Sequence, residues 1–199
     1  ASDDGFNAAG GADSSASNGS RGNDTFAVDA TKSIVITGGT ITVHADGDGV
    51  DSNGTIAISG GTIYVSGPTN SANGALDSNG TMSISGGVVV AAGSAGMAQG
   101  FDQSSTQVSL SYTFTSVQQA GTTISLKDAS GNVIASYTPD KQYQNVIISA
   151  PALVSGQTYS LYSGDTLVES VTLSGTVTSV GSGDMGGGFG GGAGGGGQQ

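Results

Sequence analysis

Three acidic side chains stand close together in the stretch DGDGVDSNG, residues 46–54. Asp46, Asp48 and Asp51 offer carboxylate oxygens, which can bind a hard cation or work in pairs as a general acid and a general base. The whole chain carries 4 Lys and Arg residues against 15 Asp and Glu residues, which gives a formal charge of −11. With so few basic side chains, some other group must offset the repulsion among these carboxylates.

Two further loops resemble this one, namely DDGFNAAGG from Asp3 and NGALDSNG from Asn73. Aligning the three loops places Asn7, Asp51 and Asp77 at one position, and Asp4 and Asp48 at another. The candidate metal ligands are Asp4, Asn7, Asp46, Asp48, Asp51, Asn53, Asp77 and Asn79.

The segments that must position these loops are also repeated: SIVITGGTITV begins at Ser33, TIAISGGTIYV at Thr55 and TMSISGGVVVA at Thr81. Apolar residues alternate on both sides of a Gly-Gly pair, which predicts two short strands joined by a corner. A unit this small cannot bury its apolar face alone, so stacked copies in a parallel β-helix are expected. The predicted inward columns are Ile34/Ile56/Met82, Ile36/Ile58/Ile84, Ile41/Ile63/Val89 and Val43/Val65/Ala91.

Such stacking would place Asp51 directly over Asp77, because neighbouring strands lie about 4.8 Å apart. Two charges at that distance repel by roughly 3 kcal/mol at an effective dielectric near 20. Either one acid is protonated or a cation lies between them, and Ca²⁺ suits a set of carboxylate, amide and carbonyl oxygens. The alternative is that these Asp and Asn side chains only hydrogen-bond their own turns.

The whole chain divides into three parts by composition. Residues 1–100 are predicted to hold the parallel β-helix, with a polar loop insertion at about 12–32. Residues 101–181 read as antiparallel β-structure, a small β-sandwich-like cap over the C-terminal end of the solenoid. Residues 182–199 form a Gly-rich tail.

Composition also excludes several classes of function. The negative charge would repel nucleic acid and anionic lipid. Because the chain has no Cys, disulfides, thiolate metal sites and a Cys nucleophile are excluded. The sequence contains no apolar run long enough to predict insertion into a membrane. The N-terminus lacks the pattern of a signal peptide, so a mature chain or a fragment is expected.

The motifs GDGVDSNG, GALDSNG and ISGGVVVAAGSAGMAQ, followed by GTTISLKDASGNVIASYTPDKQYQNVIISAP, resemble a family of secreted bacterial carbohydrate-binding domain proteins, with a match from Ala1 to about Gly181. The resemblance implies a right-handed parallel β-helix similar to that of pectate lyases, bound calcium, and non-catalytic binding of plant polysaccharides such as cellulose and pectin. It also implies a secreted or cell-surface location. The aspartates that match its loop motif are Asp4, Asp48, Asp51 and Asp77.

Binding is favoured over catalysis by the distribution of charge. A pectate lyase needs a basic residue to remove a proton, and Arg21 and Lys32, the only two before residue 127, lie outside the acidic motif. A calcium ion could bridge the protein's carboxylates to those of a polyuronate, whereas a neutral glucan needs an aromatic platform, for which Tyr64 is the candidate on the outer face. The alternative function is a self-assembling filament or matrix subunit at the cell surface, joined head to tail through the open end of the solenoid and the Gly-rich tail.

Overall fold

The computed structural model describes residues 1–8 and 27–181, and within these ranges the chain is all β, with no helix. The predicted loop insertion at 12–32 is therefore described only from residue 27 onward, and the Gly-rich tail at 182–199 lies outside the described residues. The strands are β1 (Phe6–Ala8), β2 (Ser33–His44), β3 (Val50–Ser52), β4 (Thr55–Ser66), β5 (Leu76–Ser78), β6 (Met82–Ile84), β7 (Val88–Gly93), β8 (Ser109–Gln118), β9 (Ile124–Lys127), β10 (Val133–Tyr137), β11 (Tyr143–Ser149), β12 (Thr158–Ser163), β13 (Thr166–Thr172) and β14 (Val177–Val180).

The strands form three sheets. The first is parallel, with the order β1-β3-β5. The second has seven strands in the order β14-β8-β11-β7-β4-β2, with β6 paired to β4 beside that path. The third is antiparallel, with the order β10-β9-β12-β13.

The repeated segments stack in parallel and in the predicted register. We call each copy of the repeat a rung: rung 1 holds β1 and β2, rung 2 holds β3 and β4, and rung 3 holds β5, β6 and β7. All four predicted inward columns are confirmed as register partners, for example Ile41 with Ile63 and Ile63 with Val89. Their side chains join one buried cluster, in which Ile56, Ile63 and Val89 are fully enclosed.

The Gly-Gly corner bends each rung at the same place. Gly39, Gly61 and Gly87 have φ values of 88°, 97° and 96°, in the left-handed region where side chains cause strain. The corner thus redirects the chain without interrupting the stack, since Thr37 still pairs with Gly60 and Thr40 with Thr62 on either side of it. This geometry holds the loops that carry the acidic residues in line above one another.

The second half of the chain differs from the prediction in two respects. It is not wholly antiparallel, because β14, which the sequence pattern did not reveal, pairs in parallel with β8. Nor does the sheet end near residue 100: β11 inserts between β8 and β7, so one sheet runs from rung 3 into the predicted cap. The second and third sheets share a core, in which Leu126 and Leu161 of the third sheet pack with Val146 and Leu110 of the second.

The two ends of the stack are finished differently. At rung 3, β7 pairs with β11, and the segment after residue 98 covers β5 and β6. The Met82 N–H donates to the carboxylate of Asp102 over 2.8 Å, and the Ile84 N–H donates to Ser105 Oγ over 3.1 Å. At rung 1, β2 is the last strand of its sheet among the described residues, and its outer edge has no strand partner there.

Candidate metal centre

The candidate metal centre lies along the β1-β3-β5 sheet, where three short strands stack in parallel. Asn7 is the register partner of Asp51, and Asp51 is the register partner of Asp77, as the aligned loops predict. In β3 and β5 the residues on either side of the aspartate are buried, so alternation turns Asp51 and Asp77 to the same outer face. One column of polar side chains therefore runs across all three rungs.

Asp48 completes a group of three carboxylates. One oxygen from each of Asp48, Asp51 and Asp77 lies within 4.8 Å of the others, and all three residues are partly buried. Two ion pairs occur in the described part of the chain, His44 with Asp140 and Lys141 with Asp46, and neither includes a member of this group. The group is thus an acidic cluster whose charge these ion pairs leave unbalanced.

Asp4 and Asp48 also have a structural task, since each ties its rung to the next. Asp4 Oδ1 accepts a hydrogen bond from the Asp48 N–H over 2.8 Å, and Asp48 Oδ1 accepts one from the Gly74 N–H over 2.6 Å. Gly74 occupies the position of Asp48 in the third loop. Hydrogen bonding within the loops, the alternative to a metal, is therefore present at these two residues; both oxygens of Asp4 accept hydrogen bonds, whereas this bond engages one oxygen of Asp48.

Burial and mutual repulsion make the three carboxylates hard to ionise together. Burial, and to a lesser extent the charges of Asp77, Asp4 and Asp51, raise the pKa of Asp48 to about 7, although the hydrogen bond from Gly74 opposes the rise. Burial and then the charges of Asp77 and Asp4 raise the pKa of Asp51 to about 6. The pKa of Asp77 is also raised, chiefly by burial. A cation at this place would remove the cost of ionisation.

Gln99 is a neighbour of the site that the sequence analysis did not find. Its Nε2 donates to Asp77 Oδ1, while its Oε1 accepts from the Ser78 N–H over 3.1 Å. Gln99 thus satisfies the last rung of the β1-β3-β5 sheet with a side chain instead of a fourth strand. It lies in GMAQGF, outside the repeat, so no alignment of loops could have indicated it.

The remaining predicted ligands are not part of the group of three. Asp46 is exposed and pairs with Lys141 Nζ at 2.5 Å; the hydrogen bond from Lys141, and then its positive charge, hold the pKa of Asp46 below its usual value. Asn7 donates a hydrogen bond from its side chain to Asp4 Oδ2. Asn53 and Asn79 link rungs through their backbones, by the Asn53 carbonyl to the Asp29 N–H and by the Asn79 N–H to the Ser52 carbonyl.

Tyr64 is not the open platform that the sequence analysis predicted. Its ring stacks on that of Tyr137, with centroids 4.8 Å apart and planes inclined by 14°. The Tyr137 hydroxyl is fixed by a 2.7 Å hydrogen bond to the buried Ser66 Oγ. Alternation does turn Tyr64 outward from its rung, but the third sheet covers that face, and the ring packs against the core between the second and third sheets.

Comparison with known proteins gives no relative: no family model, curated protein or solved structure matches the chain. Across residues 1–8 and 27–181, no helix is long and apolar enough to cross a membrane.

Proposed function

We propose that this chain is an extracellular, calcium-binding and non-catalytic polysaccharide-binding protein. The observation that carries the proposal is the group formed by Asp48, Asp51 and Asp77, whose carboxylate oxygens converge within 4.8 Å. Their raised pKa values show that the ionised group is poorly compensated by the protein. A divalent cation would supply that compensation.

The donor set suits calcium, and it also leaves part of the ion's coordination open. Ca²⁺ takes about six to eight oxygen ligands and tolerates irregular geometry. Asp48 and Asp77 each have one oxygen already engaged in a hydrogen bond, with the Gly74 N–H and with Gln99 Nε2. Three carboxylates of this kind cannot fill the coordination shell, so water or an incoming ligand would complete it.

An acidic polysaccharide such as pectin is the preferred ligand for those open positions. Uronate carboxylates are hard oxygen donors, and the ion would bridge them to a protein that otherwise repels them through its charge of −11. Cellulose is less favoured, because it lacks carboxylates and because Tyr64, the proposed platform, is stacked on Tyr137. The ligand is therefore expected to bind only when calcium is present.

Binding without catalysis is favoured by the positions of the basic side chains. The Lys141 ammonium is engaged with Asp46 and with the Ala45 carbonyl, and the Lys127 ammonium lies 4.2 Å from the ring centroid of Tyr162. Both ammonium groups are thus engaged by partners other than the three aspartates. We also propose that the three rungs form a right-handed parallel β-helix and that the protein works outside the cell or on its surface.

Titration of polygalacturonate into the chain by calorimetry, with calcium and with excess chelator, tests this function. We expect saturable binding in calcium and none in chelator, with cellulose as the neutral comparison. Asp51→Asn should abolish binding, and Asp165→Asn, which alters an exposed acid in the β12–β13 turn, should not. Equal binding with and without calcium would contradict the proposed bridge, and failure of calcium itself to bind would contradict the metal centre.

Head-to-tail assembly is a second candidate, favoured by the outer edge of β2, which pairs with no strand among residues 1–8 and 27–181. Exposed edge strands are sites of strand addition between chains. The opposite end of the stack is closed by β11 and by the segment that contains Asp102 and Ser105, so strands could not continue directly from that end. Light scattering with and without calcium would distinguish a polymer from a monomer that binds polysaccharide.

A further inference from the structure

The rung 1 end of the stack carries exposed apolar side chains. Phe6 of rung 1 is 44% exposed, whereas its register partner Val50 is 1% exposed and Leu76 in the next rung is fully buried. Ile34 and Ile41 are likewise partly exposed, while their partners in rung 2 are enclosed. Ile36 and Val43, which end the other two columns, are buried at 7% and 5%, so the apolar positions left partly uncovered at this end are Phe6, Ile34 and Ile41.

Apart from the irregularity at its Gly-Gly corner, β2 shows few of the features by which exposed strands avoid pairing, as far as the described residues extend. Its sequence, SIVITGGTITVH, runs for 12 residues without Pro, Asp, Glu, Lys or Arg. Charges, prolines and short length are the common protective devices of edge strands. An uncharged edge of this length can accept the backbone of another strand.

The glycines at the corners indicate what kind of strand would fit. A Cβ placed on Gly60 would meet the Thr37 carbonyl oxygen at 2.6 Å, and one on Gly86 would meet the Ser59 carbonyl oxygen at 2.5 Å. In rungs 2 and 3 this glycine is thus required by the close approach of the preceding rung, since neither residue has a positive φ.

Gly38 occupies the same corner position in rung 1, but nothing in the described structure explains it. A Cβ on Gly38 would meet no described atom within 4 Å, and its φ is not positive. Glycine weakens a strand unless a bend or a close approach of backbone requires it. In rung 2 the close neighbour is the Thr37 carbonyl, and among the described residues no carbonyl takes the equivalent place over Gly38.

We propose that the outer edge of β2 binds a rung-forming segment, an uncharged extended peptide with alternating Ile or Val and a Gly-Gly corner, which pairs with β2 in parallel. This occupant accounts for Gly38 and for the uncharged edge together, and its inward side chains would cover Ile34 and Ile41. A β2 edge from a second copy would pair antiparallel about a two-fold axis and would not reproduce the carbonyl approach seen at Gly60 and Gly86. The site is separate from the three aspartates and does not depend on calcium.

A labelled peptide that copies residues 55–66, TIAISGGTIYVS, serves as the probe. We expect saturable binding to the intact chain by fluorescence anisotropy, unchanged by chelator. Gly38→Val should weaken binding by about tenfold or more, because the added side chain occupies the place of the approaching carbonyl. Its own unfolding temperature should stay unchanged, since no described atom lies within 4 Å of a Cβ at Gly38. Leu167→Ala, at the exposed edge strand β13, is the matched control and should bind normally.

Register-specific disulfides determine the direction of the pairing, because the chain contains no Cys of its own. Thr42→Cys should cross-link to a peptide with Cys at the position of Tyr64, its parallel partner in β4, and not to one with Cys at the position of Ala57. The reverse preference, equal binding to Gly38→Val, or no saturable binding would each overturn the proposal. A dimer of the unmodified chain that Gly38→Val dissociates would also overturn it, by assigning the edge to a second copy.

Discussion

Asp51 lies in parallel register with Asp77, in adjacent strands of the same sheet, and Asp48 brings a third carboxylate to the pair. In most sheets like charges in this relation are destabilising. Here the backbone register enforces it, because Val50 and Leu76 on one side and Ser52 and Ser78 on the other are buried. The aspartates cannot separate without uncovering the core.

Calcium should therefore raise the thermal stability of the chain. At a free concentration about 100-fold above Kd, a ligand of the folded state contributes about 2.7 kcal/mol. For a chain of this size we expect an increase in Tm of about 5–10 °C, measured by differential scanning fluorimetry against excess chelator. Magnesium, which demands a tighter octahedral shell, should have a smaller effect. An unchanged Tm in calcium would argue against the metal centre.

Asp51→Asn and Asp77→Asn should each increase the thermal stability in chelator and decrease it in calcium. In chelator each should raise Tm slightly, because one charge of a repelling pair is removed while the shape of the side chain is kept. In calcium each should lose most of the stabilisation by the ion, which calorimetry would show as weaker affinity. Asp165→Asn removes an exposed charge elsewhere and should leave both quantities unchanged. Unaltered calcium affinity in both site variants would refute the proposed ligands.

In chelator, stability should fall as pH rises through the acidic range. The folded-state pKa values of Asp48 and Asp51 are about 7 and about 6, above the ordinary 3.8. Between these limits the folded chain binds more protons than the unfolded chain, so its free energy of unfolding decreases with increasing pH. Urea unfolding at pH 5 and pH 8 would measure the loss, and calcium should reduce it. Greater stability at pH 8 in chelator would contradict the raised pKa values.

Tyr137→Phe should destabilise the chain through a single hydrogen bond. It removes the donor or acceptor that partners the buried Ser66 Oγ, which also accepts the Asp140 N–H over 3.2 Å. We expect a loss of about 1 kcal/mol in the free energy of unfolding. Tyr64→Phe keeps the stacked ring and is the matched control, with almost no expected change. Equal effects of the two substitutions in urea unfolding would show that the hydroxyl pair contributes nothing specific.

Ile63→Ala and Ile41→Ala truncate the same inward column in rung 2 and in rung 1. The loss in free energy of unfolding should differ between the two. Ile63 is fully buried, so its truncation should cost about 2–5 kcal/mol. Ile41 is only partly buried, and its truncation should cost less, because less apolar area is removed from contact and the surroundings can relax. Urea unfolding of both variants measures the difference. Equal costs would show that rung 1 is covered as completely as rung 2.

The repeat allowed most of the parallel region to be predicted. Alternation fixes which side chains point inward, and the alignment of repeats fixes which ones stack, so the columns from Ile34 to Val43 were correct throughout. The alignment likewise predicted Asp51 over Asp77. Both are consequences of a regular period, which a sequence shows directly.

The contacts that the sequence could not reveal are those with the second half of the chain. Lys141 pairs with Asp46 across 95 positions, and Tyr137 covers Tyr64 across 73, with no period relating the partners. The parallel strand β14 was missed for a similar reason, since its four residues carry no strong alternation. These contacts depend on tertiary packing, whereas the local sequence pattern predicts only the strands themselves.

The insertion of β11 between β7 and β8 bears on how the protein comes apart. A chain with two separable lobes would melt in two calorimetric steps, each with its own enthalpy. Here the boundary between the halves is a ladder of backbone hydrogen bonds inside one sheet. If either half unfolded alone, the other would be left with an unpaired strand edge. Melting should consequently be a single cooperative event, with equal calorimetric and van't Hoff enthalpies.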